Sequence, residues 1–461
     1  MRVILGLTTL AVAAAAPVLA TEPPDVPRLQ KSDGFRGLRE QPIVEGNIDA
    51  ELFYATWRTW PDDLRAEAES LPEAERRAAV RRHYGLPASA DAGDVPFAYA
   101  ETRDGTWATN CFVCHAGQVA GELIPGAPNT QIDLQSLVED VVMAKVRIGR
   151  PLAATDLGVA AIPLSRARGT TNAVVFGILF DYLRDDDMNL VAARPRTGEL
   201  LHHDVDPPAW WTTKKKSKLY IDGFAPKNHR VLMQFMLAPS NSRADVLATE
   251  PLFEQVLADI EACEPPAYPG PVDETLAARG RVVFEQNCAE CHGTYGRGQG
   301  DPDWTYPERM IPLDEIGTDR VRHDALTVAD RESLQSSWMN FYGRDDVLED
   351  PSGYVAPPLD GVWASAPYFH NGSVPTLWHV LNPDDRPAVW ARPTDPDAYD
   401  FERVGLRADE SDRLPGEFRS TVDRRRYYDT SEVGHSAAGH DYPLLLDEAE
   451  RRAVLEYLKK L

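Results

Sequence analysis

Cysteine is scarce: five residues in 461, too few and too unevenly placed for the disulfide framework of a small secreted scaffold. Basic residues are also in short supply, 48 against 72 acidic, and the formal charge of −24 argues against a general affinity for nucleic acid. That charge suits a cationic or small neutral partner, or simple solubility. Long apolar runs are missing except for one at the N-terminus, so no segment beyond it reads as a membrane span. Period-two alternation is rare, which leaves little room for a sandwich or barrel. A glycine loop for nucleotides and a hydrolase triad are missing as well.

What is there begins with Met1-Arg2, the apolar run "VILGLTTLAVAAAAPV" and small residues at Val18 and Ala20. This is the layout of a secretory signal peptide cut after Ala20, and it predicts a periplasmic or secreted protein. Proline and glycine then concentrate between Glu264 and Pro271 ("EPPAYPGP"), a stretch that breaks helices. The expected organisation is a signal peptide over 1–20, an N-terminal domain over 21–265 and a C-terminal domain over 266–461. Lys214, Lys215, Lys216 and Lys218 form the one basic cluster, read as a solvated turn. Cys263 reads as a partly buried free thiol.

The other four cysteines stand in two units, Cys111-x-x-Cys114-His115 and Cys288-x-x-Cys291-His292. A zinc ribbon needs two further ligands at short spacing, and no other cysteine pair exists. A thioredoxin-like dithiol has no use for the histidine. Haem c, in contrast, needs two thiols for the vinyl groups on one porphyrin edge and a histidine directly after them to bind the iron. Two such units in an exported chain predict two covalent haems, with His115 and His292 as proximal ligands.

"DETLAARGRVVFEQNCAECH" reads as an amphipathic helix with Leu276, Gly280, Val283 and Phe284 on one side, running into the second unit. "LDEAERRAVLEYLKKL" reads as a closing helix with Leu446, Ala449, Val454, Leu455 and Leu458 on its apolar face. A helix ending at CxxCH and a closing helix able to cross it is the layout of a class I cytochrome c fold. Further helical stretches are "LRAEAESLPEAERRAAVRRHYGL", "TQIDLQSLVEDVVMAKVRIG" and "NAVVFGILFDYLRDDD". The expected fold class is therefore mainly α, two cytochrome c-like domains with little β structure. The long connections Asp204–Lys227 and Pro383–Gly434 read as structure covering a cofactor.

Function turns on the sixth position of each iron: a second strong ligand makes an electron-transfer haem, and an open one lets oxygen or peroxide bind. The remaining histidines are His83, His202, His203, His229, His323, His370, His379, His435 and His440.

"GVWASAPYFHNGSVPTL" (Gly361 to Leu377) resembles the APYFHxGSxxTL motif of the bacterial dihaem cytochrome c peroxidase superfamily. "IPLDEIGTDRVR", "PPLDGVWA" and "DTSEVGHSAAGHDY" look closer to its rubber oxygenase branch and that branch's short relatives. The peroxidases' axial methionine would fall on Asp384, and no distal histidine lies between His115 and His202. The oxygenase branch implies instead a C-terminal haem held by His292 and a second histidine near the chain end. His440 stands at the matching place, ahead of Met339, His435 and His370, since the superfamily puts His370 near the propionates. The resemblance further implies an aromatic relay between the haems, here Tyr220 rather than Ile221, and an aromatic over the oxygen-binding iron, here Phe235. The rival reading of Phe235 is helix core beside Leu232 and Met236. Arg168 and Asn129 are implied at the first haem's propionates or proximal side, and a calcium ion on the carbonyls of Ser365 and Pro367.

The expected function is an exported dihaem oxidoreductase, with dioxygen or peroxide at the His115 haem and electrons exchanged through the His292 haem. Its partners would be that small oxidant and a small cytochrome or cupredoxin. The other class is a non-catalytic dihaem electron carrier, with His202, His203 or His229 on the first iron. The chain is shorter than a full rubber oxygenase, and polyisoprene is not the expected substrate.

Overall fold

A computed structural model describes residues 32–87, 95–152, 156, 163–192, 202–296, 303–393, 395 and 397–461. The N-terminal apolar run lies outside the described residues. The fold is mainly α, with small sheets only.

The opening helix of the C-terminal half, Glu274–Asn287, is capped by Asp273, whose carboxylate accepts from the Thr275 and Leu276 N–H groups. The closing helix, Glu448–Leu458, starts with a capping box in which Asp447 and Glu450 satisfy each other's backbone N–H. The two helices cross at Gly280, where an added Cβ would lie 1.8 Å from the Ala453 carbonyl oxygen. Around this contact Val283, Phe284, Val454, Leu455 and Leu458 are buried, each worth roughly 1.5–3 kcal/mol of apolar transfer. Phe284 meets the ring of Tyr457 at 5.4 Å.

In the N-terminal half, helix Asp33–Glu40 packs on the long helix Arg243–Glu261. Helix Leu134–Ile148 is capped by Asp133 and stops at Gly149, in the left-handed region at φ 73°. Helix Ala173–Tyr182 is almost wholly apolar, as befits an element covered by protein on several sides. The stretch read as one helical run from Leu64 is two helices, Asp62–Ser70 and Glu73–His83. Pro72 is the cause: it pushes Leu71 out of the helical region, to ψ 145°.

The long connections carry structure of their own. Strand Val389–Ala391 pairs antiparallel with both Asp409–Ser411 and Tyr427–Asp429, so Pro383–Gly434 is organised by a three-stranded sheet. The lysine cluster is not a solvated turn. The Lys215 ammonium is enclosed between the rings of Tyr295 (4.0 Å) and Trp304 (4.3 Å) and pairs with Asp360 at 3.1 Å, because a cation on aromatic faces beside a carboxylate tolerates burial. Cys263 is fully buried rather than partly so, with Gly126 and Trp210 packed close by. One apolar core takes residues from both sides of the 264–271 stretch, Phe112 and Trp211 as well as Trp363 and Leu455.

Candidate functional site

The first CxxCH unit follows strand Trp107–Thr109. Asn110 Oδ1 accepts the Phe112 N–H at 2.9 Å and starts a short helix, Phe112–His115. The His115 ring stacks on Trp210 at 5.0 Å, and its Nδ1 lies 3.1 Å from the Pro208 carbonyl. A carbonyl only accepts, so Nδ1 carries the proton and Nε2 keeps its lone pair. Asn129 supports the unit from behind: its amide donates to the Val113 and Gly85 carbonyls at 2.9 and 2.8 Å, and its N–H to the Cys114 carbonyl. Arg168 is buried on the same side and donates to the carbonyls of Arg82 and His83. Thr171, ahead of helix Ala173–Tyr182, hydrogen-bonds the Cys114 thiol.

The second unit repeats this arrangement. The opening helix delivers Cys288 to His292, and His292 Nδ1 lies 2.8 Å from the Pro357 carbonyl, again leaving Nε2 free. Position 293 requires glycine: it takes φ 80°, and a Cβ there would meet the Thr305 carbonyl at 2.1 Å. Across from His292 stands His440, with ring centroids 6.1 Å apart and planes at 65°. Two imidazole nitrogens on opposite sides of one metal, each about 2 Å from it, place their ring centres roughly 6 Å apart. The pair therefore fits a bis-histidine haem iron. His440 is placed by backbone: its N–H donates to the Ile316 carbonyl at 2.7 Å, and Gly439 packs so closely on Gly317 that a Cβ would sit 2.3 Å from it. Arg386 clasps the same loop through the Ala437 and Gly439 carbonyls, both at 2.7 Å.

Burial sets the protonation states. It pushes His115 down to about 4, His440 to about 3, and His292 down as well, so all three imidazoles are neutral at pH 7, the form that binds metal. It pushes the Cys111 and Cys114 thiols up to about 12 and Cys288 to about 11, the reverse of a redox-active dithiol. None of the five cysteines is paired in a disulfide.

Tyr220, in the left-handed region at φ 66°, stacks on Phe224 at 4.9 Å and donates to Gln234 Oε1 at 3.3 Å. It borders two cavities of about 20 Å³ each, one walled by helix Ala173–Tyr182 and the other by the Pro357 loop that holds His292. Phe235 is half-buried in the 3₁₀ turn Gln234–Leu237, which packs on helix Ala173–Tyr182; Met236 fills the core while Phe235 does not. His370 packs on Tyr354 at 4.6 Å, with its Nε2 buried. The other ligand candidates are engaged or enclosed: His229 Nε2 on Glu250 at 3.0 Å, His202 Nδ1 on Arg166 at 2.7 Å, His435 Nε2 on Asp204 at 3.3 Å, and His203 with both ring nitrogens buried. Met339 is core. Sequence reasoning missed Pro208, Pro357, Trp210 and Arg386. A signal existed for the first two, since each CxxCH unit is followed downstream by a Pro-Pro pair, Pro207-Pro208 and Pro357-Pro358.

A cytochrome c family model matches residues 277–349, around the second unit, and a model described as RoxA-like, cytochrome c-like matches residues 353–391. Two uncharacterized proteins of Sinorhizobium fredii (strain NBRC 101917 / NGR234) are similar. The first, y4iM, is 30% identical over 54% of this chain and 59% of its own length. The second, y4iJ, is 28% identical over 43% of this chain and 41% of its own. The chain thus spans about half the length of these relatives. In its segments 277–349 and 353–391 the protein is cytochrome c-like with a RoxA-like relation, and its cofactor is covalently bound haem c.

Proposed function

We propose that this protein is an exported dihaem oxidoreductase of the dihaem peroxidase superfamily, close to its rubber oxygenase branch. His292 and His440 would together hold one haem, which would exchange electrons with a small redox protein. His115 would hold a second haem, which would take dioxygen or peroxide. A haem with an open position supplies oxidant activation, and one with two strong axial ligands supplies electron transfer. The residues do the positioning: Cys111, Cys114, Cys288 and Cys291 anchor the porphyrins, Pro208 and Pro357 fix the tautomer of each proximal histidine, and Trp210 fixes the plane of the His115 ring.

The observation that carries this reading is the His292–His440 separation of 6.1 Å, set beside the absence of a matching partner for His115 among the described residues. Of the three histidines an electron carrier could place on the first iron, His229 and His202 are tied to Glu250 and Arg166, and His203 is buried beside Arg322 and His370 with its ring nitrogens unpartnered. Tyr220 and Phe235 are the residues proposed to relay electrons and to face the bound oxidant.

Electron paramagnetic resonance of the ferric protein, beside His440→Ala and His229→Ala, tests the assignment. The expected result is one high-spin or easily ligand-exchanged haem and one low-spin haem, the latter turned high-spin by His440→Ala and untouched by His229→Ala. Two low-spin signals that resist cyanide, one of them lost in His229→Ala, would leave a pure electron carrier instead.

A further inference from the structure

Neither haem assignment gives Lys215 a task. Its side chain is fully buried, and burying an ammonium is costly unless it is paired. A buried ion pair adds little stability over apolar side chains of the same volume, so adhesion between the two halves does not by itself call for a lysine here. What a charge supplies, and an aliphatic side chain does not, is direction: it holds ring faces and a carboxylate at set distances.

The groups it holds lead to His292. Tyr295 and Trp304 stand opposite each other in an antiparallel bridge, and the Lys215 ammonium sits 4.0 and 4.3 Å from their ring centres, with Asp360 at 3.1 Å. The Tyr295 hydroxyl donates to the His292 carbonyl at 2.9 Å and accepts the Leu359 N–H at 2.5 Å. Leu359 lies two residues beyond Pro357, whose carbonyl meets His292 Nδ1. One hydroxyl therefore ties the backbone of His292 to the loop that orients its ring. Trp211 braces the same loop, its Nε1 donating to the Asp360 carbonyl at 2.8 Å.

The other end of the element leads to His115. Lys215 closes the 3₁₀ turn Trp210–Lys215, which is ~10 Å long at about 2.0 Å per residue. At its start the Trp210 ring stacks on His115. The Trp210 N–H donates to the Gly126 carbonyl at 2.8 Å, and the Gly126 N–H to the His115 carbonyl at 2.7 Å. Pro208, two residues before Trp210, supplies the carbonyl at His115 Nδ1. A single stretch from Pro208 to Lys215 thus reaches the supports of both proximal histidines.

We propose that Lys215 is a positioning residue for His292: by fixing the Tyr295 ring it fixes the hydroxyl that ties His292 to the Pro357 loop, and so sets the plane of the imidazole. The inference rests on the dihaem reading above. It adds that the plane of the second proximal histidine is set from the N-terminal half, by the element that also stacks on the first.

Electron paramagnetic resonance of the ferric holoprotein tests this, since the g-values of a low-spin haem report the relative orientation of its two axial rings. Lys215→Met and Tyr295→Phe are compared singly and together, all in an Asp360→Asn background that strands no buried carboxylate, with haem content and melting temperature measured beside them. The expected result is a displaced low-spin signal at full haem content in both single variants, and no further displacement in the double variant, because the two act along one route. A lowered melting temperature with unmoved g-values in Lys215→Met shows a merely structural role and overturns the proposal. Displacements that add in the double variant overturn it too, since Lys215 then acts by another route than Tyr295. Should Lys215→Met lose haem, Trp304→Leu decides: it opens one wall around the ammonium at a half-buried position, and an unmoved signal there overturns the proposal. The wild type separates this failure from that of the dihaem reading, because a protein with one haem, or without a low-spin signal, removes the reading itself before any variant is compared.

Discussion

At the scale of single residues, each CxxCH unit depends on a few polar side chains and small residues that the motif does not contain. Asn129 bridges two carbonyls behind the first unit. Asn129→Ala leaves both without that donor, and we expect a loss of about 1–3 kcal/mol, read as a lower melting temperature of the holoprotein and reduced haem content. Gly439 controls His440. It sits at φ 79° with its Cα against Gly317, so Gly439→Ala should push the loop outward. The expected spectrum has the low-spin signal weakened while pyridine haemochrome analysis finds full haem content. An unchanged spectrum would show that His440 does not depend on this packing. The two CxxCH units were legible as candidate haem anchors from spacing alone, since covalent attachment needs its residues within five consecutive positions. Pro208 and Pro357 were not, because nothing local says which distant carbonyl will meet a ring nitrogen.

Among the elements, the crossing of the opening and closing helices matters most, because the first ends at Cys288 and so aims the second unit. Gly280 is the point of contact. Gly280→Val would drive its side chain into the Ala453 carbonyl, 1.8 Å from the first added carbon, and overpacking of this kind costs on the order of 1–3 kcal/mol or more. Chemical denaturation should show the loss, and a double variant with a smaller neighbour should not restore it, since the obstacle is backbone. Both helices were legible from 3.6-residue periodicity. The break at Pro72 and the three-stranded sheet around Val389–Ala391 were not. A proline's effect depends on whether the chain can reform a cap behind it, and strands of three residues are too short for their alternation to stand out.

For the molecule as a whole, the buried histidines set the behaviour in acid. Burial pushes His83 and His370 down to about 3, and His203 down as well, whereas an unfolded histidine titrates near 6.5. Below that value the unfolded chain takes up protons that the folded chain refuses. The stabilisation is therefore complete above pH 6.5 and is lost as pH falls towards 3. Melting temperatures should hold above pH 6.5 and fall as the pH drops towards 3, and His83→Phe, which keeps a ring against Trp60, should flatten that slope. The sequence by itself determined the helical class and set out the two CxxCH units as candidate haem anchors, because periodicity and motif spacing are properties of neighbouring residues. Only the tertiary structure decided that His440 rather than His435 faces His292, and that Lys215 is buried against two aromatic rings. Those pairings join residues far apart in the chain, and the packing of the large core that spans both halves sets their distances.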